Sequence, residues 1–350
     1  MNIRPVLAAA LAVAALAAAA SAQKDRILLV DGKSIDDCAI TSFDLRKVEY
    51  RAKGSVATVE SDLVADLVVE KARDVFRRGH AAATSPDGPG LFLAAAREQK
   101  DKFLAQFGFA EAAKLLIERG EFADAFGALE ELATANPDSG FVPMLYRVKA
   151  EYYISQGKAK AGDAASVAKK YEEAAGSQGY PRGFQIEARY YVLMAQAVAG
   201  AVDANKLRRD LEVLAGEAAA YANIADRCRM TIADSLLEEK KPDEAEKFLK
   251  ELLAKAYLEP ATLASAMNGM GKVHFARGTP ENKDAYREAL LSFLRVVIEA
   301  PKAQPGVTAE SLYLGAQAAE KWGGPDAATM SRRLNYMLNR DYPDNPWSKR

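Results

Sequence analysis

The chain has 350 residues, a formal net charge of -1 and 49% hydrophobic residues, with two cysteines and two histidines. The charge lacks the basic excess typical of nucleic-acid-binding proteins, so we expect no nucleic-acid partner. Two cysteines are too few for a disulfide scaffold or a four-cysteine zinc site, and two histidines leave little for metal or acid–base chemistry. About a fifth of the residues are alanine, far above the usual share.

Residues 1–22 have the pattern of a secretory signal peptide. Arg4 supplies a positive charge, residues 6–20 are an unbroken apolar run, and Ala20-Ser21-Ala22 places small residues before a cut ahead of Gln23. The apolar run is shorter than the roughly 20 residues that span a bilayer, and no later segment is longer. The pattern predicts an exported mature chain, periplasmic or secreted, with no integral membrane segment.

Residues 23–70 have the composition of a small β module. The predicted strands are residues 26–30, 38–41, 47–51, 55–59 and 64–69. Turn signals separate them, notably Asp31-Gly32 and Lys53-Gly54. Five short strands in about 45 residues are too few for two packed sheets, which favours a small curled sheet or partly open barrel.

This module resembles a known class of adaptor. The segments 25–33, 48–50 and 64–68 are similar to the small SH3-like or Sm-like barrels that precede helical repeats in exported bacterial proteins of planctomycete type. The resemblance implies an adaptor rather than a catalyst.

Helical patterns follow the β module to the end of the chain. Residues 70–83 predict a helix and residues 84–90 a loop, so that 71–91 form a linker. Apolar spacing close to 3.6 residues then indicates a helical solenoid over 92–343, with 344–350 as a C-terminal tail. The predicted fold class is therefore mainly α, an α-solenoid of antiparallel helix pairs preceded by a five-stranded barrel-like module.

Recurring small residues give this solenoid its repeat signature. Gly120, Phe122, Ala125, Leu129, Leu132 and Pro137 are spaced like the second half of a tetratricopeptide repeat, which they resemble. Ala245, Ala289 and Ala327 recur at the position of Ala125, where two helices cross closely and a larger side chain would separate them. The repeat length drifts from 34 to about 40 residues, which resembles the degenerate, TolA-binding-protein-like or outer-membrane-assembly-like members of that family.

The sequence contains no recognisable catalytic constellation, and we expect neither a cofactor nor a metal. His80 and His274 are far apart and are interpreted as surface or packing residues. Cys38 and Cys228 form either a disulfide or, as we favour, two buried free thiols. In the pairs Tyr152-Tyr153 and Tyr190-Tyr191, adjacent side chains diverge by about 100°, so one tyrosine of each pair should face a neighbouring repeat and the other solvent or a groove.

The tetratricopeptide resemblance implies that partners bind along the first helix of each pair. Carried over by position, this inner face comprises Lys114, Arg147, Glu151, Arg227, Asp234, Asn268 and Lys272. Its mixed charge leaves the partner undetermined beyond protein or peptide.

Three functions follow from these patterns. The leading hypothesis is a non-enzymatic exported scaffold that binds protein or peptide partners in the cell envelope. The alternative is a structural or assembly component that binds itself or the cell wall. A third is a hydrolase with perturbed carboxylates around His80 or His274.

Overall fold

The computed structural model describes residues 25–301, 304–343 and 345–350, so the predicted signal peptide lies outside the described residues. The chain divides into two compact units. Of the described residues, the first contains 25–29, 33–116 and 123–142, and the second contains 30–32, 117–122, 143–301, 304–343 and 345–350.

Five antiparallel strands begin the described chain. They are β1 (Asp25–Leu29), β2 (Ser34–Phe43), β3 (Lys47–Ala52), β4 (Ser55–Glu60) and β5 (Val64–Val68), in the spatial order β4-β3-β2-β1-β5. The outer strands β4 and β5 are joined by the single 3₁₀ turn Ser61–Leu63, which spans only about 6 Å. In a flat sheet the outer strands would lie about 19 Å apart, so the sheet must curl. The predicted five-stranded barrel-like module is confirmed.

Buried and exposed side chains alternate along β1 and β2, and the buried ones form the core of this sheet. Ile27 and Val48 are fully buried, and Cys38 and Ile40 lie beside them. Asp25, also buried, accepts hydrogen bonds from the backbone N–H of Ile40 at 2.8 Å and of Glu70 at 2.9 Å. One carboxylate thus fixes both the β1–β2 pairing and the start of the first helix.

Within the first unit the end of β2 packs on the non-helical segment 138–141, which in turn contacts the helical residue Phe107. The ring of Phe43 meets that of Phe141 edge to face at 4.9 Å, and Phe141 meets Phe107 in the same way at 5.4 Å. The backbone N–H of Leu45 donates to the carbonyl of Asp138 at 2.8 Å. The end of β2 is therefore part of an aromatic core shared with Phe141 and with the helix that contains Phe107.

The segment after the sheet differs from the prediction. The single helix predicted over residues 70–83 is instead two short helices, α1 (Glu70–Val75) and α2 (Arg77–Ala81). They are separated at Phe76, whose ring is buried near that of Phe92. The next helix, α3 (Gly88–Glu98), starts inside the loop predicted over residues 84–90, with a proline in its first turn, where the missing N–H has no helical partner to lose.

Six helix pairs follow. They are α4 (Lys102–Glu118) with α5 (Phe122–Ala135), α6 (Val142–Ser155) with α7 (Ala161–Ser177), α8 (Arg182–Val198) with α9 (Ala204–Glu217), α10 (Ala222–Glu238) with α11 (Pro242–Leu253), α12 (Pro260–Arg277) with α13 (Lys283–Glu299), and α14 (Pro305–Trp322) with α15 (Ala327–Asp341). Loops of three to five residues join the members of each pair, which makes them antiparallel neighbours. The predicted α-solenoid of antiparallel helix pairs is confirmed.

Small residues lie buried in these pairs. Ala125, Ala245 and Ala289 have no exposed surface, and Ala327 is 5% exposed. Gly271 on α12 faces the ring of Phe293 on α13 so closely that a Cβ atom would clash with it. Small residues are therefore buried where paired helices approach each other, which is consistent with the alanine-rich composition.

Candidate functional site

The first helices of successive pairs in the second unit pack against one another, α8 on α10, α10 on α12 and α12 on α14. Their polar side chains form two groups of contacts, one around Arg227 and one around Lys272, and we call the two groups together the polar ladder. It comprises Arg147 and Glu151 on α6, Glu187 and Tyr191 on α8, Arg227 and Asp234 on α10, Glu259 just before α12, Asn268 and Lys272 on α12, and Glu310 and Ser311 on α14.

Arg227 is the centre of the ladder. Its Nη1 lies 3.3 Å from Glu151 Oε1 and 3.4 Å from Glu187 Oε1, and its Nη2 lies 3.2 Å from both carboxylate oxygens of Glu259. Burial alone would lower the pKa of Arg227, but Glu259 and the other acidic neighbours hold it well above its ordinary value. The guanidinium therefore stays charged and links three neighbouring first helices.

Two tyrosines extend this network. Tyr191 donates from its hydroxyl to Glu151 Oε1 at 2.6 Å and accepts from Arg227 at 2.9 Å. Tyr171 on α7 donates to Glu187 Oε2 at 2.7 Å. Glu187 is only 3% exposed, so these contacts, together with the arginines, compensate a carboxylate that water hardly reaches.

The network repeats along the sequence with a fixed period. Arg147, Glu187 and Arg227 are separated by 40 residues each, so arginine and glutamate alternate at one position of successive first helices. Glu151 and Tyr191 are likewise 40 residues apart. Ion pairs between neighbouring first helices therefore recur with the period of the repeat.

The ladder continues on the later helices. Lys272 Nζ lies 2.8 Å from Glu310 Oε2, and Asn268 Nδ2 donates to Ser311 Oγ at 2.8 Å. Asp234 lies beside this pair. Burial raises its pKa to about 6, Lys272 opposes the rise, and Glu310 and Glu238 add to it.

The structure places six of the seven residues predicted to line the inner face in two groups, with Arg147, Glu151 and Arg227 in one and Asp234, Asn268 and Lys272 in the other. The seventh, Lys114, lies on α4 in the first unit, where its Nζ is 3.4 Å from Asp66 on β5 and 2.9 Å from Glu111. Glu187, Glu259 and Glu310 were not predicted from the sequence, and Tyr191 was predicted only as one of an adjacent pair, although the 40-residue period identifies Glu187 and Tyr191.

The adjacent tyrosine pairs only partly follow the predicted division between a neighbouring repeat and solvent. Tyr191 is buried in the ladder, and Tyr190 shares a hydrogen bond of 3.0 Å with Thr231 while packing on a neighbouring core. Tyr152 and Tyr153 are both half-buried. Neither pair places one ring fully in solvent, because the close packing of first helices covers both sides.

The remaining reactive side chains are held by packing or ion pairs. Cys38 and Cys228 are buried free thiols, and the ring of His80 packs edge to face on Phe92 at 4.9 Å. Near His274, contacts with Arg277 and Lys250 lower the pKa of Glu246 to about 2. That direction is opposite to the one needed by a general acid at neutral pH.

Other kinds of site can be compared over the same residues. No group of three or more metal-ligating side chains is assembled in residues 25–301, 304–343 and 345–350, and no helix there is long and apolar enough to cross a membrane. An open cavity of about 290 Å³ is lined by residues of α7, α8 and α9, without a histidine or cysteine. Of these candidate sites, the ladder is the one in which the most side chains are joined by hydrogen bonds and ion pairs.

Comparisons with known proteins give structural similarity only. No protein-family model and no curated protein sequence matches the chain. Among solved structures, NprR in complex with its cognate peptide NprX has a TM-score of 0.45 at 15% identity, covering 79% of this chain and 80% of that one. A tetratricopeptide repeat protein from Parabacteroides merdae has a TM-score of 0.43 at 14% identity, covering 70% and 99%.

PilW, a type IV pilus biogenesis factor, is more distant, with a TM-score of 0.29 at 12% identity, covering 81% of this chain and 98% of that one. Because all three TM-scores are below 0.5, the assignment of the fold rests on the helix pairs themselves. The fold and the ladder define the class of this protein as an α-solenoid of helix pairs with a small β module.

Proposed function

We propose that this chain is a non-enzymatic exported scaffold that binds a protein or peptide partner along the first helices of its second unit. The observation that carries the proposal is the polar ladder, two groups of charged and polar side chains that are distributed over five successive first helices. Stacked helix pairs offer extended surfaces of this kind to partners.

The exposure of the ladder fits a recognition surface. The side chains of Arg147 and Lys272 are 29% and 30% exposed, and that of Glu151 is 53% exposed. These groups are fixed by neighbours yet open to solvent, so a partner would meet preorganised charges and lose little entropy in ordering them.

The cell envelope is the proposed location because of the signal-like pattern of residues 1–22. Export is tested by N-terminal sequencing of the chain from the fraction outside the cytoplasm, where a start at Gln23 supports it. A chain retained in the cytoplasm with Met1 intact would contradict it.

Partner binding is tested by crosslinked affinity capture from the native envelope with the mature, tagged chain. We expect a defined protein to be recovered and to be displaced by an excess of the untagged chain. A monomeric chain that recovers no displaceable protein would contradict the proposal.

Self-assembly or cell-wall binding is the second candidate, and exposed apolar side chains on α13 and α15 favour it. Ile298 is 74% exposed, Leu291 44% and Tyr336 63%. Sedimentation at increasing concentration, with and without purified cell wall, separates the candidates. Oligomers that dissociate in an Ile298→Ser variant, or cosedimentation with the wall, would support the second candidate over the first.

A further inference from the structure

The outer strand β4 gives the sheet of the first unit an unprotected edge. β4 pairs with β3 alone, in a register without a bulge, and it contains no proline and no charged residue from Ser55 to Val59. Val56 in this strand is 58% exposed. Natural proteins usually protect such edges with bulges, prolines or charges, because an unprotected edge is a template for another strand.

The opposite edge of the sheet, β5, has this kind of protection. Its pairing with β1 shifts between Leu28 and Leu29, so that Ala65 is an extra residue in β5. Asp66 on the same strand lies 3.4 Å from Nζ of Lys114. Bulges and charges of this kind discourage strand addition. β4 is therefore the edge at which a further strand can be added.

The turn between β3 and β4 determines which backbone groups of β4 point away from β3. Its two-residue loop is Lys53-Gly54, and both residues have positive φ, as a type I′ turn requires. In such a turn the flanking residues, here Ala52 and Ser55, form a hydrogen-bonded pair. Hydrogen-bonded and non-hydrogen-bonded pairs alternate along an antiparallel ladder. Every second residue of β4 from Ser55 onward is therefore bonded to β3.

The remaining residues of β4, Val56, Thr58 and Glu60, direct their N–H and C=O groups outward. No hydrogen bond to these groups is made among the described residues. The side chains of the three residues are also exposed. Within the described chain, nothing lies within 4 Å of the position that a side chain on Gly54 would occupy, so the turn leaves the edge accessible.

Two exposed charges of opposite sign lie at this edge on one face of the sheet. Arg51 on β3 lies opposite Val56, and Glu60 at the end of β4 lies opposite Lys47. Lys47 is 3.5 Å from Glu49, whereas neither Arg51 nor Glu60 forms an ion pair with a described residue. The edge thus carries one cation and one anion that are available to a partner.

We propose that β4 pairs antiparallel with β4 of a second copy of this chain, with the Thr58 residues of the two copies opposite each other. Val56 then lies opposite Glu60 of the second copy, so every outward N–H and C=O group of β4 has a partner. Arg51 and Glu60 of different copies lie about 10 Å apart across one strand, a distance that their long side chains can span. The two-fold symmetry makes two such ion pairs.

The charges select both this register and this occupant. A pair centred on Ala57 leaves the groups of Glu60 outside the new ladder, and one centred on Val59 leaves those of Val56 outside. Neither brings Arg51 to Glu60. A foreign extended segment would satisfy the backbone groups, but a second copy also supplies the complementary charges. This inference goes beyond the proposed function and does not depend on the polar ladder.

Sedimentation velocity of the full-length mature chain measures this association. A single strand pair buries less than the roughly 1,200 Å² of a standard interface, so we expect a weak dimer that forms between about 1 μM and about 0.5 mM. Thr58→Pro removes the outward N–H at the centre and leaves the bonds to β3 intact, so it should weaken the dimer at least about tenfold. Circular dichroism checks that each variant folds.

Charge reversal tests the register. Arg51→Glu and Glu60→Arg should each weaken the dimer about tenfold, because two ion pairs become two like-charge contacts. An equimolar mixture of the two variants should restore dimers, since each carboxylate of one variant then meets a guanidinium of the other. The matched controls Lys170→Glu on α7 and Glu212→Arg on α9 reverse exposed charges away from β4 and should leave the dimer unchanged.

Several outcomes would overturn the inference. They are a chain that stays monomeric at the highest concentration, a dimer retained by folded Thr58→Pro, or charge variants that do not dimerise when mixed. A dimer that is lost in Ile298→Ser and kept in the β4 variants would assign the association to α13 instead. If Thr58→Pro does not fold, the charge variants decide. Capture of an envelope partner by the monomeric variants tests the proposed function separately.

Discussion

Replacing Asp234 by asparagine should stabilise the folded chain at neutral and alkaline pH. Among the described residues no cation forms an ion pair with this carboxylate, and burial raises its pKa from 3.8 to about 6 while Lys272 opposes the rise. Asparagine has nearly the same shape and carries no charge. The substitution therefore removes the cost of an ionised group in this position without opening a cavity.

The magnitude follows from linkage between ionisation and folding. A pKa raised from 3.8 to about 6 corresponds to about 3 kcal/mol, and partial access of solvent to Asp234 reduces the expected gain to about 2 kcal/mol. Because the folded-state pKa is the higher one, the folded chain binds the proton more tightly. The contribution of Asp234 to the stability of the wild-type chain thus falls as pH rises from about 4 to about 6 and then remains level.

Urea denaturation at pH 4 and pH 8 measures this difference. Asp234→Asn should raise the free energy of unfolding by about 2 kcal/mol at pH 8 and by much less at pH 4. Glu212→Gln, an exposed residue on α9, serves as the control and should change stability by less than about 0.5 kcal/mol at either pH. An equal effect of Asp234→Asn at both pH values, or a loss of stability at pH 8, would refute the reasoning.

Three further predictions concern the network, the helix crossings and the thiols. Arg227→Met should destabilise the chain by about 3–5 kcal/mol in urea denaturation, since it leaves Glu187 without its central cation; a loss under about 1 kcal/mol would show that the ladder is not a structural network. Gly271→Ala should cost about 1–3 kcal/mol because its methyl group would meet Phe293, and an unchanged urea midpoint would contradict the close crossing. A thiol reagent should find no reactive cysteine in the native chain and two after unfolding without reductant, whereas fewer than two would indicate a disulfide.

The parts of the fold that local chemistry determines could be predicted from the sequence. Turn signals such as Asp31-Gly32 separate the strands, and close-packing alanines such as Ala125 and Ala245 mark the helix pairs. The break between α1 and α2 could not be predicted, because it depends on burial of Phe76 near Phe92 rather than on a helix-breaking residue.

The candidate site was predictable only in part for the same reason. Position in the repeat identified Arg147 and Arg227, and the 40-residue period would have added Glu187. Asp234 could not be predicted to be without an ion-pair partner among the described residues, because this depends on the tertiary contact between Lys272 and Glu310. Lys114 occupies a first helix as predicted, but a long-range contact with Asp66 on β5 assigns it to a different network.

Site-specific photo-crosslinking in the native envelope tests whether the first-helix face is the binding surface. A photoreactive amino acid is placed at Glu151, a half-exposed member of the ladder, or at Glu212 on the second helix α9. We expect a crosslinked protein partner from position 151 and little or none from position 212. Equal or stronger crosslinking from position 212, or none from position 151, would contradict it.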